Sequence, residues 1–226
     1  MEDALVGLIF HGIGTPGRTL EPNEAPYWLS TDRFEAILER IAALSEPHRV
    51  RISFDDGNLS DVTIALPRLL AHGFPADVFV LSRRIGAAGS LGAAQIVELQ
   101  TAGCRIGSHG VSHQDWRRIS PDALAAELTD SRTTLERVCD RPVTSAGIPF
   151  GSYNGRVIAA LKSAGYDCAY SSDRGTMYPG AYLRPRTSVR ADMTDAEIDM
   201  ILAGRMARVA RVRRTVGMLR RRLFPG

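Results

Sequence analysis

Arg51-Ile52-Ser53-Phe54-Asp55-Asp56-Gly57 decides how this chain is read. Val50 to Phe54 is rich in β-branched and aromatic residues, the composition of a buried strand. The run ends in two adjacent carboxylates and a glycine. Aspartate is depleted in strands and neighbouring carboxylates repel, so the pair needs a compensating reason. A turn is one, because Asx side chains bond their own backbone and glycine supplies a positive φ. A cation is the other: it would neutralise one carboxylate and leave its neighbour free to act as a base.

Outward from that stretch the chain alternates. Leu5 to Phe10 is a second apolar run and reads as a buried strand. It leads through His11-Gly12-Ile13-Gly14 into a Pro/Gly-rich loop reaching Pro26. In and just beyond that loop, Glu24, Tyr27 and Trp28 either line a sugar site or cover one end of the fold. Ser30-Thr31-Asp32, with Glu35 three residues after Asp32, caps a helix whose apolar side is Phe34, Ile37, Leu38, Ile41 and Leu44. Residues 60–71 predict a helix in which Pro67 has to sit at a kink or near the start. Strands are expected at 76–81, 104–108, 143–148, 166–170 and 183–189. Helices are expected at 91–102, from Ser120-Pro121-Asp122 onward, at 155–164 and at 195–203.

Strand–helix alternation argues for a parallel sheet with helices outside it. Gly12-Ile13-Gly14-Thr15-Pro16-Gly17 follows the first strand with Gly-x-Gly-x-x-Gly spacing, so an open doubly wound sheet stays possible, although a Pro/Gly-rich loop rather than a helix comes after it. Residues capable of chemistry follow several different strands: His11, Asp55-Asp56, His109, Pro149-Phe150 and Asp173. A (β/α) barrel gathers such strand ends at one face.

Composition bounds the rest. A chain of 226 residues can hold one sizeable core, and no internal linker divides it, so residues 1–203 read as one domain. The net charge is only +3, Lys162 is the single lysine, and much of the arginine lies beyond Gly204, so the core is not built to bind nucleic acid. Residues 204–226 form a basic tail with Met206, Val209, Val212, Val216, Leu219 and Leu223 at helical spacing. That helix either packs its apolar stripe on the barrel or docks on an anionic membrane surface or a protein partner. Cys104, Cys139 and Cys168 show no paired spacing and read as reduced core residues. The acidic start Met1-Glu2-Asp3-Ala4 has no signal-peptide pattern, and no run approaches ~20 apolar residues. The expectation is a cytoplasmic protein, peripheral on the inner membrane face if the tail docks there.

Ser108-His109-Gly110-Val111-Ser112-His113 follows a predicted strand and carries two imidazoles four residues apart. Two histidines and one carboxylate make a common facial ligand set for a divalent metal. Ser53-Phe54-Asp55-Asp56-Gly57 together with Ser108-His109-x-x-x-His113 resembles the first two motifs of the polysaccharide deacetylase family, the NodB homology domain. Ile148-Pro149-Phe150-Gly151 resembles the third motif, and Gly165-Tyr166 a further landmark. The similarity runs from about Val50 to Val189.

The resemblance implies a distorted (β/α) barrel with fewer than eight strands and one divalent metal that assists removal of acetyl groups from sugars. Asp56, His109 and His113 would bind the metal, with zinc first and cobalt, nickel or iron as alternatives. Asp55 would be the general base toward a water on that metal. Pro149, Phe150 and Gly151, with Trp28 and Asp173, are the candidate substrate contacts, and a backbone N–H near Phe150 could hold the oxyanion. Two departures stand out. Gly147 occupies the place where the family commonly has an Arg that orients the base, and no histidine follows His113 to act as general acid. A branch acting on exopolysaccharides shows similar reductions, and this chain looks closest to it.

Two residues could fill the gaps. His11 could supply the acid, or it merely anchors its own loop. Arg186 could orient Asp55 from the last strand, or it pairs with Asp192 at the surface. Asp173 touches substrate or a water on the metal, or sits in a simple turn. The expected protein is thus a metal-dependent deacetylase of an acetylated carbohydrate, N-acetyl ahead of O-acetyl, on a cell-surface polysaccharide or its precursor. Hydrolysis of another small C–N bond, such as a cyclic amide, and a non-catalytic metal-containing glycan-binding module remain open beside it.

Overall fold

A computed structural model describes residues 4–205. The basic helix expected beyond Gly204 falls almost wholly outside the described residues, and its docking partner with it.

The apolar runs become parallel strands. Leu5–Phe10 (β1), Val50–Asp56 (β2), Ala76–Val80 (β3), Arg105–Ser108 (β4), Ser145–Gly147 (β5) and Cys168–Ser171 (β6) pair in sequence order, each parallel to the next. A short antiparallel strand, Thr176–Met177 (β7), lies on the start of β1. The chain then closes the sheet in two steps: Leu183–Pro185 (β8) pairs parallel with β6, and Thr187–Ser188 (β9) pairs parallel with β1. Arg186 is the residue between those two steps. Counting β8 and β9 as one interrupted segment, seven parallel segments form the ring among the described residues, fewer than the eight of a regular barrel.

Helices cover the outside: Thr31–Ala42 (α1), Leu66–His72 (α2), Ala93–Thr101 (α3), Pro121–Cys139 (α4), Gly155–Ser163 (α5) and Asp195–Leu202 (α6). Ser30 caps α1 by accepting from the Arg33 N–H, so the expected Asp32–Glu35 capping box is not used. Glu35 instead meets His72 and Arg68 of α2. Pro67 sits in the first turn of α2, directly after a wide π-helical turn over Asp61–Ala65 in which the Leu66 N–H reaches back to the Asp61 carbonyl. A proline has no N–H for the regular ladder, and the widened turn precedes the point where one would be needed.

Alternation along each strand separates two environments. Outward positions, such as Leu8 and Phe10 of β1, Ile52 and Phe54 of β2, and Val78 and Val80 of β3, join one apolar core beneath the helices. Phe10 meets Phe34 of α1 edge-on at 5.0 Å and stacks with Phe54 at 5.7 Å. Inward positions are different in kind. Phe79, Cys168 and Tyr170 share the barrel interior with Met177, and Ser53, Asp55 and Arg186 are buried there too. Glycines make the room: a Cβ on Gly7 would lie 2.8 Å from Arg186 Cγ, and one on Gly147 would lie 3.3 Å from an Arg186 terminal nitrogen and 3.1 Å from His109 Nδ1.

Gly12 has a similar role where the long loop leaves β1. A Cβ there would fall 2.1–2.3 Å from three ring carbons of Trp28, which is itself buried. Gly12→Ala should therefore lower stability by about 1–3 kcal/mol in urea unfolding, since the indole has no free direction to move. An unchanged midpoint would show that Trp28 is not seated against Gly12.

Candidate metal and catalytic site

A regular strand would send Asp55 and Asp56 to opposite faces. Asp55 follows the alternation and points inward with Ser53. Asp56 leaves it: its backbone is left-handed, at φ 81°, and Gly57 follows at φ 72°. Both carboxylates consequently line one cavity of about 550 Å³ at the C-terminal ends of the strands. His113 (φ 56°) and Phe150 (φ 57°) are also left-handed and line the same cavity. Such backbone is uncommon in non-glycine residues, and its clustering here is an observed concentration of local strain at one site.

His109 continues β4 and His113 lies on the turn after it. Asp56 Oδ1 is 3.5 Å from His109 Nε2 and 3.6 Å from His113 Nε2, and it has no hydrogen-bond partner. One donor atom from each of the three residues falls within a 4.8 Å group. Tetrahedral ligands about 2.1 Å from an ion lie roughly 3.4 Å apart, so these spacings fit a divalent metal better than direct hydrogen bonds. The remote nitrogens agree. His109 Nδ1 donates to the Gly147 carbonyl at 2.9 Å and His113 Nδ1 donates to Glu21 Oε2 at 2.8 Å, which leaves both Nε2 lone pairs facing Asp56. Burial lowers the His109 pKa against the opposing pull of Asp55 and Asp56, keeping the ring neutral, as a ligand must be.

Asp55 has a separate set of partners. Arg186 donates to both its oxygens, at 2.7 and 3.0 Å, and to Ser53 Oγ at 2.7 Å. The guanidinium also sits 4.7 Å from the Phe79 ring centroid and 5.4 Å from that of Tyr170. Burial alone would raise the Asp55 pKa, but Arg186 and His109 outweigh it and hold the carboxyl below the usual range. Arg186 is 1 % exposed, and Asp192 is paired with Arg190 instead.

The other sequence candidates divide. His11, Phe150 and Gly151 line the cavity; His11 is half-buried, its Nδ1 has no partner, and its ring lies 5.0 Å from that of Tyr27. Phe150 is 62 % exposed and its ring centroid is 4.4 Å from that of His113. Trp28 does not line the cavity: its ring is committed to Gly12 and its Nε1 donates to Glu24, so Tyr27 is the aromatic that faces the space. Asp173 is also a correction, because it is buried away from the lining and accepts from Tyr153 and Ser171 hydroxyls. Pro149 is buried and likewise does not line the cavity. Sequence reasoning passed over Glu21, whose contact to His113 spans 92 residues and leaves no local signal.

Residues 44–169 match the family model for polysaccharide deacetylase. The chain belongs to the polysaccharide deacetylase family. It is 27 % identical over 179 residues to YxkH of Bacillus subtilis (strain 168), itself ascribed to the polysaccharide deacetylases, a match covering 78 % of this chain and 61 % of that one. A chitin deacetylase of Pestalotiopsis sp is 25 % identical over 126 residues, 56 % of this chain and 42 % of that one. The chain thus spans less than two thirds of either relative. The Streptococcus pyogenes deacetylase PplD, solved with acetate, superposes with a TM-score of 0.74 at 20 % identity, over 89 % of this chain and 99 % of that one, which establishes a shared fold. No helix among the described residues is long and apolar enough to cross a membrane.

One buried acid stands behind the site. Asp61 is 1 % exposed, neither oxygen makes a well-formed hydrogen bond, and burial, with Asp56 and Asp55 adding like charge, pushes its pKa well up. A carboxyl whose pKa rises on folding takes up a proton, so its cost to stability grows as pH climbs above the unfolded value of ~3.9. Asp61→Asn should raise the Tm, with a gain larger near pH 8 than near pH 4. A gain for Asp61→Asn no larger near pH 8 than near pH 4, or a variant Tm below wild type near pH 8, would contradict this account of Asp61.

Proposed function

We propose that this chain is a metal-dependent carbohydrate deacetylase, with Asp56, His109 and His113 as metal ligands and Asp55 as general base. The observation carrying the proposal is the split between adjacent carboxylates: Asp56 converges with two imidazoles while Asp55 is gripped by Arg186. A divalent cation held there, zinc first by its donor set, would polarise the acetyl carbonyl and make water easier to deprotonate. Asp55, kept ionised and aimed by Arg186, accepts the proton of the attacking water. His11, which lines the same cavity, returns a proton to the departing amine or alcohol. A backbone N–H near Phe150 is the proposed donor to the developing oxyanion, and the exposed Phe150 ring and Tyr27 would give the flat apolar surfaces on which sugar faces stack.

An N-acetylated cell-surface polysaccharide or its precursor is the proposed substrate, supported by family membership and by the chitin deacetylase among the relatives. The intact Asp55–Arg186 pair supports an enzyme over a non-catalytic glycan-binding module, since a binding module would have no use for an oriented, unligated carboxylate. A cytoplasmic location and a role for the basic tail on a membrane surface remain part of this proposal.

Acetate release from N-acetylglucosamine oligomers is the direct test. Removing the metal with a chelator should abolish release, and zinc should restore it. Asp55→Asn should lower kcat by about 10²–10⁴-fold. Arg186→Gln removes the chief influence that lowers the Asp55 pKa, so the acid limb of the kcat/KM profile should move to higher pH. An unmoved limb, or Asp55→Asn at wild-type rate, would refute the assignment of the base.

A further inference from the structure

The two histidines are held by different means. His109 is fixed by a backbone carbonyl of β5, part of the barrel itself. His113 is fixed by a side chain from the long loop that follows β1. We propose that Glu21 is a positioning residue for the metal centre, through which the loop of residues 12–28 contributes to the ion's affinity. The inference rests on the metal-site reading above.

The carboxylate is placed by a chain of contacts from the loop and from the β3–α3 connection. Glu21 Oε2 accepts from His113 Nδ1, and Oε1 pairs with Arg84, from the connection between β3 and α3. The Glu21 backbone N–H donates to Glu24 Oε2 at 2.7 Å. Glu24 also takes Arg18 at 2.9 Å and the Trp28 Nε1–H at 3.2 Å. Arg18 reaches on to Asn58 Oδ1 at 3.0 Å, two residues past Asp56. Gly17 and Gly89 let the loop lie directly on the β3–α3 connection, because a Cβ on Gly89 would be 2.7 Å from the Gly17 carbonyl carbon. The loop is thus tied both to the strand end that carries Asp56 and to the ring of His113.

Glu21 is half-exposed, and an ion pair at a rim contributes little by itself. What the geometry adds is selectivity for one ring nitrogen. A carboxylate on Nδ1 fixes the proton there, directs Nε2 at the Asp56 oxygen and makes the imidazole a stronger donor, and losing such a partner costs about 10–100-fold in metal affinity. A loop salt bridge with Arg84 alone would have no such consequence for the ion.

The full chain, stripped of metal, can be titrated with Co²⁺ by its d–d absorption and with Zn²⁺ by competition against a chromophoric chelator. Wild type, Glu21→Gln, Glu21→Ala, Arg84→Met and Asp56→Ala would be compared, with apo melting curves for each. Glu21→Ala should weaken both ions by about 10–100-fold and Glu21→Gln by less, with Arg84→Met close to wild type. Should Glu21→Ala fold poorly, the isosteric Gln variant decides. Wild-type affinity in the Glu21 variants, with binding lost in Asp56→Ala, would overturn this inference alone, as would an equal loss in Arg84→Met. Saturable binding that survives Asp56→Ala, or none in wild type, would overturn the metal site and this inference together.

Discussion

The bidentate contact between Arg186 and Asp55 is what the rest of the structure depends on. A buried ion pair returns little net stability, because both charges give up water to form it, and well-packed apolar residues often do as well. This one is nonetheless sealed inside the barrel, against Phe79 and Tyr170, with Ser53 taking part of the guanidinium. It also lies where the ring closes, since Arg186 separates the segment paired with β6 from the segment paired with β1. Barrel closure and orientation of the Asp55 carboxylate are therefore one event. A ring left open at that point would leave Asp55 buried and unpaired.

Around that pair, the site is built from departures from regular backbone. The left-handed turn at Asp56 brings the second carboxylate to the cavity, and those at His113 and Phe150 set the ring and the aromatic opposite it. Gly147 fits the same logic. The position is empty of side chain, and the space is used by His109 and by Arg186 arriving from another strand. In this chain the guanidinium beside Asp55 comes from Arg186.

The barrel was legible because its signals are local. Apolar runs ending in Phe10, Phe54 and Val80, and the Ser120-Pro121 helix start, each follow from short-range chemistry. The Asp-Asp and His-x-x-x-His spacings pointed to a shared strand-end layer for the same reason. Other features depend on which distant segments meet. Tyr27 and Trp28 are adjacent aromatics in one loop, and only the packing of Trp28 on Gly12 tells which faces the cavity. Asp173 resembled a substrate contact but is taken by Tyr153 and Ser171. Glu21 was invisible because its partner lies 92 residues away, and β7 because two residues carry no periodicity.

The central claim is that adjacent carboxylates have separate duties, Asp56 to the metal and Asp55 to the proton. Anomalous scattering from crystals soaked with Zn²⁺ tests it most directly. The account predicts one strong peak about 2.0–2.2 Å from Asp56 and from Nε2 of both His109 and His113, with Asp55 still on Arg186 and outside the coordination sphere. A peak ligated by Asp55, or Arg186 displaced from it, would contradict that division.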